Sequence, residues 1–272
     1  MSARTTDALA YLRERYPLPR FLPLAVFLAT AAQAGASSWE PVSLARDVLL
    51  ALGLVLQFRL WDDLESLAED RLEHPGRVLC QARSLTPFLV LLGATATLNT
   101  ALLLHAPHAL LGYAALCALG LAWYRWLSPR LSRGALAAHG LLLKYPAFVV
   151  LLHLASGEGV LPPLVPGLVY LCFCVHELLH DQRLLSRPGM PLLLRAELLG
   201  LWALSVALCL ASSSSHGVLL RGTQLALCLG APLLLVALYR RSLGRGGVGP
   251  LGDAVFALSF LQTLNFTLRN RP

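Results

Sequence analysis

Apolar and polar residues alternate along this chain in long blocks rather than short periods. Nine apolar stretches, at residues 21–36, 44–61, 85–105, 109–127, 135–155, 160–179, 192–211, 218–239 and 251–268, are separated by polar connections. Each is close to the roughly 20 residues that cross a bilayer as a helix. The first is the shortest and needs its flanks to complete a span. Ahead of them, Leu9, Leu12 and Tyr16 share one helical face with arginines around it, the pattern of a helix lying on a membrane surface. The reading is an all-α, polytopic membrane protein. Residues 1–20 form an amphipathic segment, and residues 21–272 form one domain of nine transmembrane helices in a single bundle with a central cavity.

The connections differ by parity. The odd-numbered ones are short turns: GASSWEP, HAPHA, SGEG and ASSSSHG. The even-numbered ones hold most arginines: Arg59, Arg71, Arg77 and Arg83, then Arg125, Arg130 and Arg133, then Arg183, Arg187 and Arg195, then Arg240, Arg241 and Arg245. Four more precede the first stretch. Under the positive-inside rule the N-terminus and the even connections are cytoplasmic, and a bacterial inner membrane is the expected location. No cleavable leader is evident, because the first apolar run follows four arginines and lacks a small-residue cleavage site.

Composition agrees. Hydrophobic residues make up 56% of the 272 and charged residues only 14%, with a mean hydropathy of +0.63. Soluble domains carry nearer a quarter charged residues. The net charge of +7 is spent on membrane topology, which argues against nucleic acid as a partner. Of the six cysteines, Cys117, Cys172, Cys174, Cys209 and Cys228 lie inside apolar runs and Cys80 in an arginine-rich connection. That is no disulfide framework. Cys172 and Cys174 are two apart and point to different sides of a helix.

Two acidic runs interrupt this pattern. In RLWDDLESLAEDRLEHPGR, six acids fall within twelve positions: Asp62, Asp63, Glu65, Glu69, Asp70 and Glu73. Asp62, Ser66 and Asp70 share a helical face, with Asp63 beside them. Carboxylates crowded this way repel one another unless cations intervene, and Mg²⁺ takes such oxygens while keeping room for substrate phosphates. The second run is VHELLHD, where Glu177 and Asp181 share a face. Both runs end stretches at the same side of the membrane. Facing each other across a bundle, they would hold cations between them, and a diphosphate bridging those cations is the natural ligand.

These motifs resemble those of the UbiA superfamily of intramembrane prenyltransferases. The first reads D-D-L-E-S-L-A-E-D from Asp62 to Asp70, followed by His74-Pro75-Gly76-Arg77, and the second reads E-L-L-H-D from Glu177 to Asp181. Tyr124, Pro129, Arg130, Leu131 and Arg133 match the connection after the fourth helix. The resemblance implies nine helices and transfer of an isoprenyl group from its diphosphate to an apolar or aromatic acceptor. It implies Mg²⁺ on Asp62, Asp63, Asp70, Glu177 and Asp181, with these as the catalytic and metal-binding residues. Arg77, Tyr124, Arg130, Arg133 and Lys144 would contact substrate, and Phe58, Trp61, Trp123, Tyr124, Tyr145 and Phe148 would face an allylic cation. Two positions depart from the family pattern. Ser66 stands where a third acid is expected, and Glu177 replaces an aspartate. A catalytically altered or inactive homologue is therefore the alternative.

Lys144 lies inside an apolar run, where a charge costs roughly 2.5–3.5 kcal/mol. It is expected to face the interior, on substrate or on a neighbouring acid. His139 is expected to be a buried, hydrogen-bonded histidine. His176-Glu177-Leu178-Leu179-His180 is also a literal H-E-x-x-H, whose histidines share a face and suit zinc. A membrane metalloprotease with Glu197 as third ligand is a rival reading. A transporter is another, and would want ionisable residues near mid-membrane, a description only Lys144 and Pro146 meet.

Overall fold

The protein is described here by a computed structural model covering residues 3–34, 36, 40–128, 135–156, 159–180, 186–211, 254–261 and 263–264. Every regular element among the described residues is helical. In order these are α1 (Ala3–Arg15), α2 (Leu18–Ala32), α3 (Pro41–Glu65), α4 (Leu67–Glu73), α5 (Val78–Gln81), α6 (Thr86–Leu103), α7 (Pro107–Ala122), α8 (Ala135–Leu142), α9 (Lys144–Ser156), α10 (Leu164–His180) and α11 (Met190–Ala211), with a helical stretch at 254–261.

The first seven apolar stretches of the sequence therefore appear as helices. The stretch at 218–239 lies outside the described residues. Proline opens several helices at the first or second position: Pro41, Pro87 and Pro107. Its missing N–H costs nothing there. Among the described residues, five helices are long and apolar enough to cross a membrane: Pro41–Glu65, Thr86–Leu103, Pro107–Leu127, His139–Ser156 and Met190–Leu208. Leu18–Ala32 and Leu164–His180 are apolar but shorter. On α6, α7 and α11, large apolar side chains such as Val90, Leu111, Leu119, Leu199 and Leu210 are exposed. A water-soluble surface does not carry so much apolar area, and a lipid-facing one does. The chain is a multi-pass integral membrane protein.

Helix α3 is the axis of the bundle. It packs on α2, α6 and α9, while α10 packs on α11, α9 and α2. Midway along α3, Gln57 Oε1 accepts hydrogen bonds from Asn99 Nδ2 and the Tyr113 hydroxyl, both at 2.7 Å. Polar pairs of this kind hold helices together where apolar surface gives no preference over lipid. Gly53 makes the crossing possible, because a Cβ there would meet Asn99 Oδ1 at 2.1 Å.

The N-terminal helix α1 docks on α5 and α6. Tyr11 is fully buried, in a cluster with Leu60, Leu67, Leu79 and Phe88, whereas Leu9 is exposed. Leu12 packs against the same cluster and Tyr16 against the main core, its hydroxyl donating to the Leu52 carbonyl at 2.8 Å, while Tyr11 and Arg15 carry the groups that satisfy the buried partners described next.

Candidate active site

The first acidic run begins on α3 and ends on α4. Ser66 separates the two helices. Its N–H and its hydroxyl both donate to the Asp62 carbonyl, at 2.9 and 2.8 Å. A serine that bonds back to the preceding turn bends a helix, so Ser66 acts here as the joint between Asp62 and Asp70.

Each aspartate of the run meets a cation from a different part of the chain. Asp62 Oδ2 accepts a hydrogen bond from Lys144 Nζ of α9. Lys144 is where the long stretch 135–155 breaks. Leu143 interrupts it, and Pro146, lacking an N–H, sits in the first turn of α9. The lysine thus faces the interior, as its sequence position implies, and its partner is an acid. This places it at one end of the bundle rather than alone at mid-membrane.

Asp63 is buried and enclosed by donors. Tyr11 donates its hydroxyl to Oδ2 at 2.9 Å. Arg15 grips both oxygens, Nε to Oδ2 at 3.0 Å and Nη2 to Oδ1 at 2.8 Å, a bidentate pairing that fixes orientation as well as charge. Arg59, one turn earlier on α3, lies 3.6 Å from Oδ1. Burial and the Asp63 carboxylate hold the Tyr11 phenol well above its ordinary range, so it remains a donor. The hydrogen bond to Asp63 likewise raises the Arg15 guanidinium.

Asp70 pairs with Arg77 at 2.5 Å. The His74-Pro75-Gly76 turn makes this possible. Arg77 N–H donates to the His74 carbonyl, and the guanidinium folds back on α4. Glu14 of α1 then accepts from the Val78 N–H at 2.9 Å, satisfying a free donor at the start of α5. Tyr11, Arg15, Asp63, Asp70, Arg77 and Leu79 gather closely at this end.

The second acidic run arrives from α10. Tyr145 of α9 stacks on Phe173 with ring centroids 3.5 Å apart and planes 3° apart. Phe173 is one turn before Glu177. Tyr145 follows Lys144, the partner of Asp62, so its stacking on Phe173 brings Glu177 to the same end of the bundle as Asp62. Asp181, Arg130 and Arg133 lie outside the described residues. Below this mouth a chain of rings runs inward. Trp61 packs on Phe58 and Tyr124, and Phe58 and Tyr145 both pack on Phe148. A widened π turn over Trp123–Leu127 carries Tyr124. Trp123 itself fills the space left by Gly140.

The donor set suits Mg²⁺ in kind, since all its oxygens are carboxylate. Asp62 Oδ1 is buried without a hydrogen-bond partner, and no described residue forms an ion pair with Glu177. These two have lone pairs to give. Asp63 and Asp70 have theirs committed to Arg15, Tyr11 and Arg77.

The residues of the H-E-x-x-H do not assemble as a zinc site. His176 and His180 stack on each other, centroids 4.0 Å apart. Glu197 Oε1 lies 2.6 Å from His139 Nε2 instead, which also gives His139 the buried polar partner expected of it. Sequence reasoning missed Tyr11, Glu14, Arg15 and Arg59 as parts of this mouth. Only Arg15 and Arg59 carried a signal, as arginines flanking the right connections.

No protein-family model and no curated protein sequence matches this chain. Among solved structures, one titled as giving structural and mechanistic insights into the biosynthesis of digeranylgeranylglyceryl phosphate synthase in membranes superposes with a TM-score of 0.63, covering 98% of this chain and 99% of that one, at 11% identity. At 11% identity this is a likeness of fold: the chain shares the architecture of that structure from end to end.

Proposed function

We propose that the protein is an intramembrane prenyltransferase that moves an isoprenyl group from its diphosphate to an apolar or aromatic acceptor. The observation that supports this most is that Lys144 of α9 bonds Asp62 of α3 beside Tyr145, which stacks on α10 one turn before Glu177, above an aromatic interior. In this reading the cations that hold the aspartates turn to the diphosphate. Arg77, Arg15 and Lys144 are donors whose geometry and charge suit phosphate oxygens, and Arg130 and Arg133 would join them. Mg²⁺ held by Asp62 and Glu177, with Asp63, Asp70 and Asp181 joining once Arg15 and Arg77 have turned away, would stabilise charge on the leaving group.

The C1–O bond of the donor breaks and its electron pair leaves with the diphosphate. Phe58, Trp61, Tyr124, Tyr145 and Phe148 exclude water and present ring faces to the allylic cation. The acceptor attacks C1 and gives up a proton. The mouth would open to the cytoplasm, with the N-terminus on that side.

One observation favours the altered-homologue alternative: Asp63 has every oxygen satisfied by the chain itself, and Ser66 supplies no carboxylate. Purified protein in lipid, given Mg²⁺ and radiolabelled isoprenyl diphosphates with an extract of membrane lipids as acceptor, separates the two. Diphosphate release that vanishes in Asp62→Asn supports the transferase. Equal release from both proteins, or none from the parent, removes it.

A further inference from the structure

Away from the acidic mouth, a second group of polar side chains is buried between α8, α10 and α11. His139, Cys174 and Glu197 place one ligand atom each within 4.8 Å of one another. Cys174 is fully buried and Glu197 is 7% exposed, and the His139 side chain is 12% exposed. His139 Nε2 and Glu197 Oε1 are 2.6 Å apart. The other carboxylate oxygen, Glu197 Oε2, is buried with no hydrogen-bond partner. A bare His–Glu pair explains neither that orphaned oxygen nor a thiol at the same point. An unsatisfied carboxylate oxygen inside a membrane bundle is costly.

We propose that His139, Cys174 and Glu197 form a Zn²⁺ site, distinct from the acidic mouth and independent of the transferase reading. The donors are imidazole nitrogen, thiolate sulfur and carboxylate oxygen, the set a borderline-soft divalent ion takes. Zinc bonds of about 2.3 Å to sulfur and 2.0 Å to nitrogen put tetrahedral donors about 3.5 Å apart. His139 and Glu197 need to part slightly and Cys174 to close in, within the reach of side-chain rotation. Binding breaks the Cys174 S–H bond and that proton leaves to water. His139, neutral with its N–H on Nδ1, gives the Nε2 lone pair, and the thiolate and the Glu197 carboxylate complete the set. Two negative ligands against Zn²⁺ give a neutral complex, which is what a low-dielectric interior tolerates. Three protein ligands leave a fourth position for water.

The surroundings support the geometry. Tyr170, one turn before Cys174 on α10, donates its hydroxyl to the His139 carbonyl at 3.3 Å, fixing α8 where its histidine meets the thiol. Helices α8 and α11 both pack on α10, so the ion would clasp all three, and α8 leads directly into Lys144.

The test uses full-length protein freed of any affinity tag. Its zinc content is measured by mass spectrometry, and cobalt is titrated into the metal-free form. The expected result is zinc retained by the parent and by Asp62→Asn, with apparent affinity reduced tenfold or more, as a rough estimate, in Cys174→Ser and Glu197→Gln. A thiolate-to-cobalt charge-transfer band should appear in the parent and not in Cys174→Ser, while circular dichroism shows the variant folded. A folded parent that neither retains zinc nor takes up cobalt overturns the proposal. So does a cobalt band that survives Cys174→Ser.

Discussion

Helix α3 buries an aspartate near each end, and the two are held in opposite ways. At one end, Asp47 is fully buried. Gln33 donates to it at 2.9 Å, and Arg46, its sequence neighbour, pairs with it at 3.2 Å. Arg46 also reaches His105 Nε2 and the Ala155 carbonyl. Its donors are thus spread over α2, α3, α6 and α9 ends, and the cluster stitches those ends together. About 24 Å away along the helix, Asp63 is held by Tyr11 and Arg15, which arrive from a separate N-terminal helix. Its neighbours Asp62 and Asp70 are held by Lys144 and Arg77 from two further segments. A carboxylate held by its own helix neighbour is architecture. Carboxylates held by distant, independently anchored cations form a set of pairs that a ligand of the right charge can open.

The largest effect should come from Asp63→Asn, which is expected to lower prenyl transfer on the order of 10²-fold, whereas Asp47→Asn stays within about twofold. Diphosphate release from labelled donor is the readout, and parallel losses would erase the distinction between the ends. Next is Asp47→Ala, which strands Arg46 and Gln33 and should cost about 2 kcal/mol in stability, read by thermal unfolding in detergent. Arg15→Gln removes the competing cation from Asp63. The Mg²⁺ concentration for half-maximal activity should then fall about fivefold, the equivalent of about 1 kcal/mol, while Arg46→Gln leaves it unchanged. The smallest effect belongs between the ends. Gln57→Leu takes the shared acceptor from Asn99 and Tyr113 and should cost about 0.6 kcal/mol, with Mg²⁺ response unaltered.

Much of the mouth is written in local pattern. The acids at 62, 63 and 70 stand out against apolar flanks, the HPGR turn announces a reversal, and a lysine inside an apolar run must turn inward. What was not legible depends on partners far apart in sequence. Leu12 and Tyr16 announce an apolar face and do pack inward, but the roles of Tyr11 and Glu14 depend on Asp63 and Val78, about fifty and sixty residues on. His139 and Glu197 are likewise on different helices, so neither announces the other. Asp47 carried a signal that went unused: a carboxylate just inside an apolar stretch asks for a buried partner.

The docking of α1 also sets an order of events during synthesis. Val78, whose N–H donates to Glu14, is made 64 residues after it, roughly 3–13 s at ordinary elongation speeds. In that interval α2 and α3 must enter the bilayer while Tyr11 and Arg15 wait beside it. The waiting helix can seat itself only if the end of α3 emerges on its own side, because Asp63 is the group that Tyr11 and Arg15 bind.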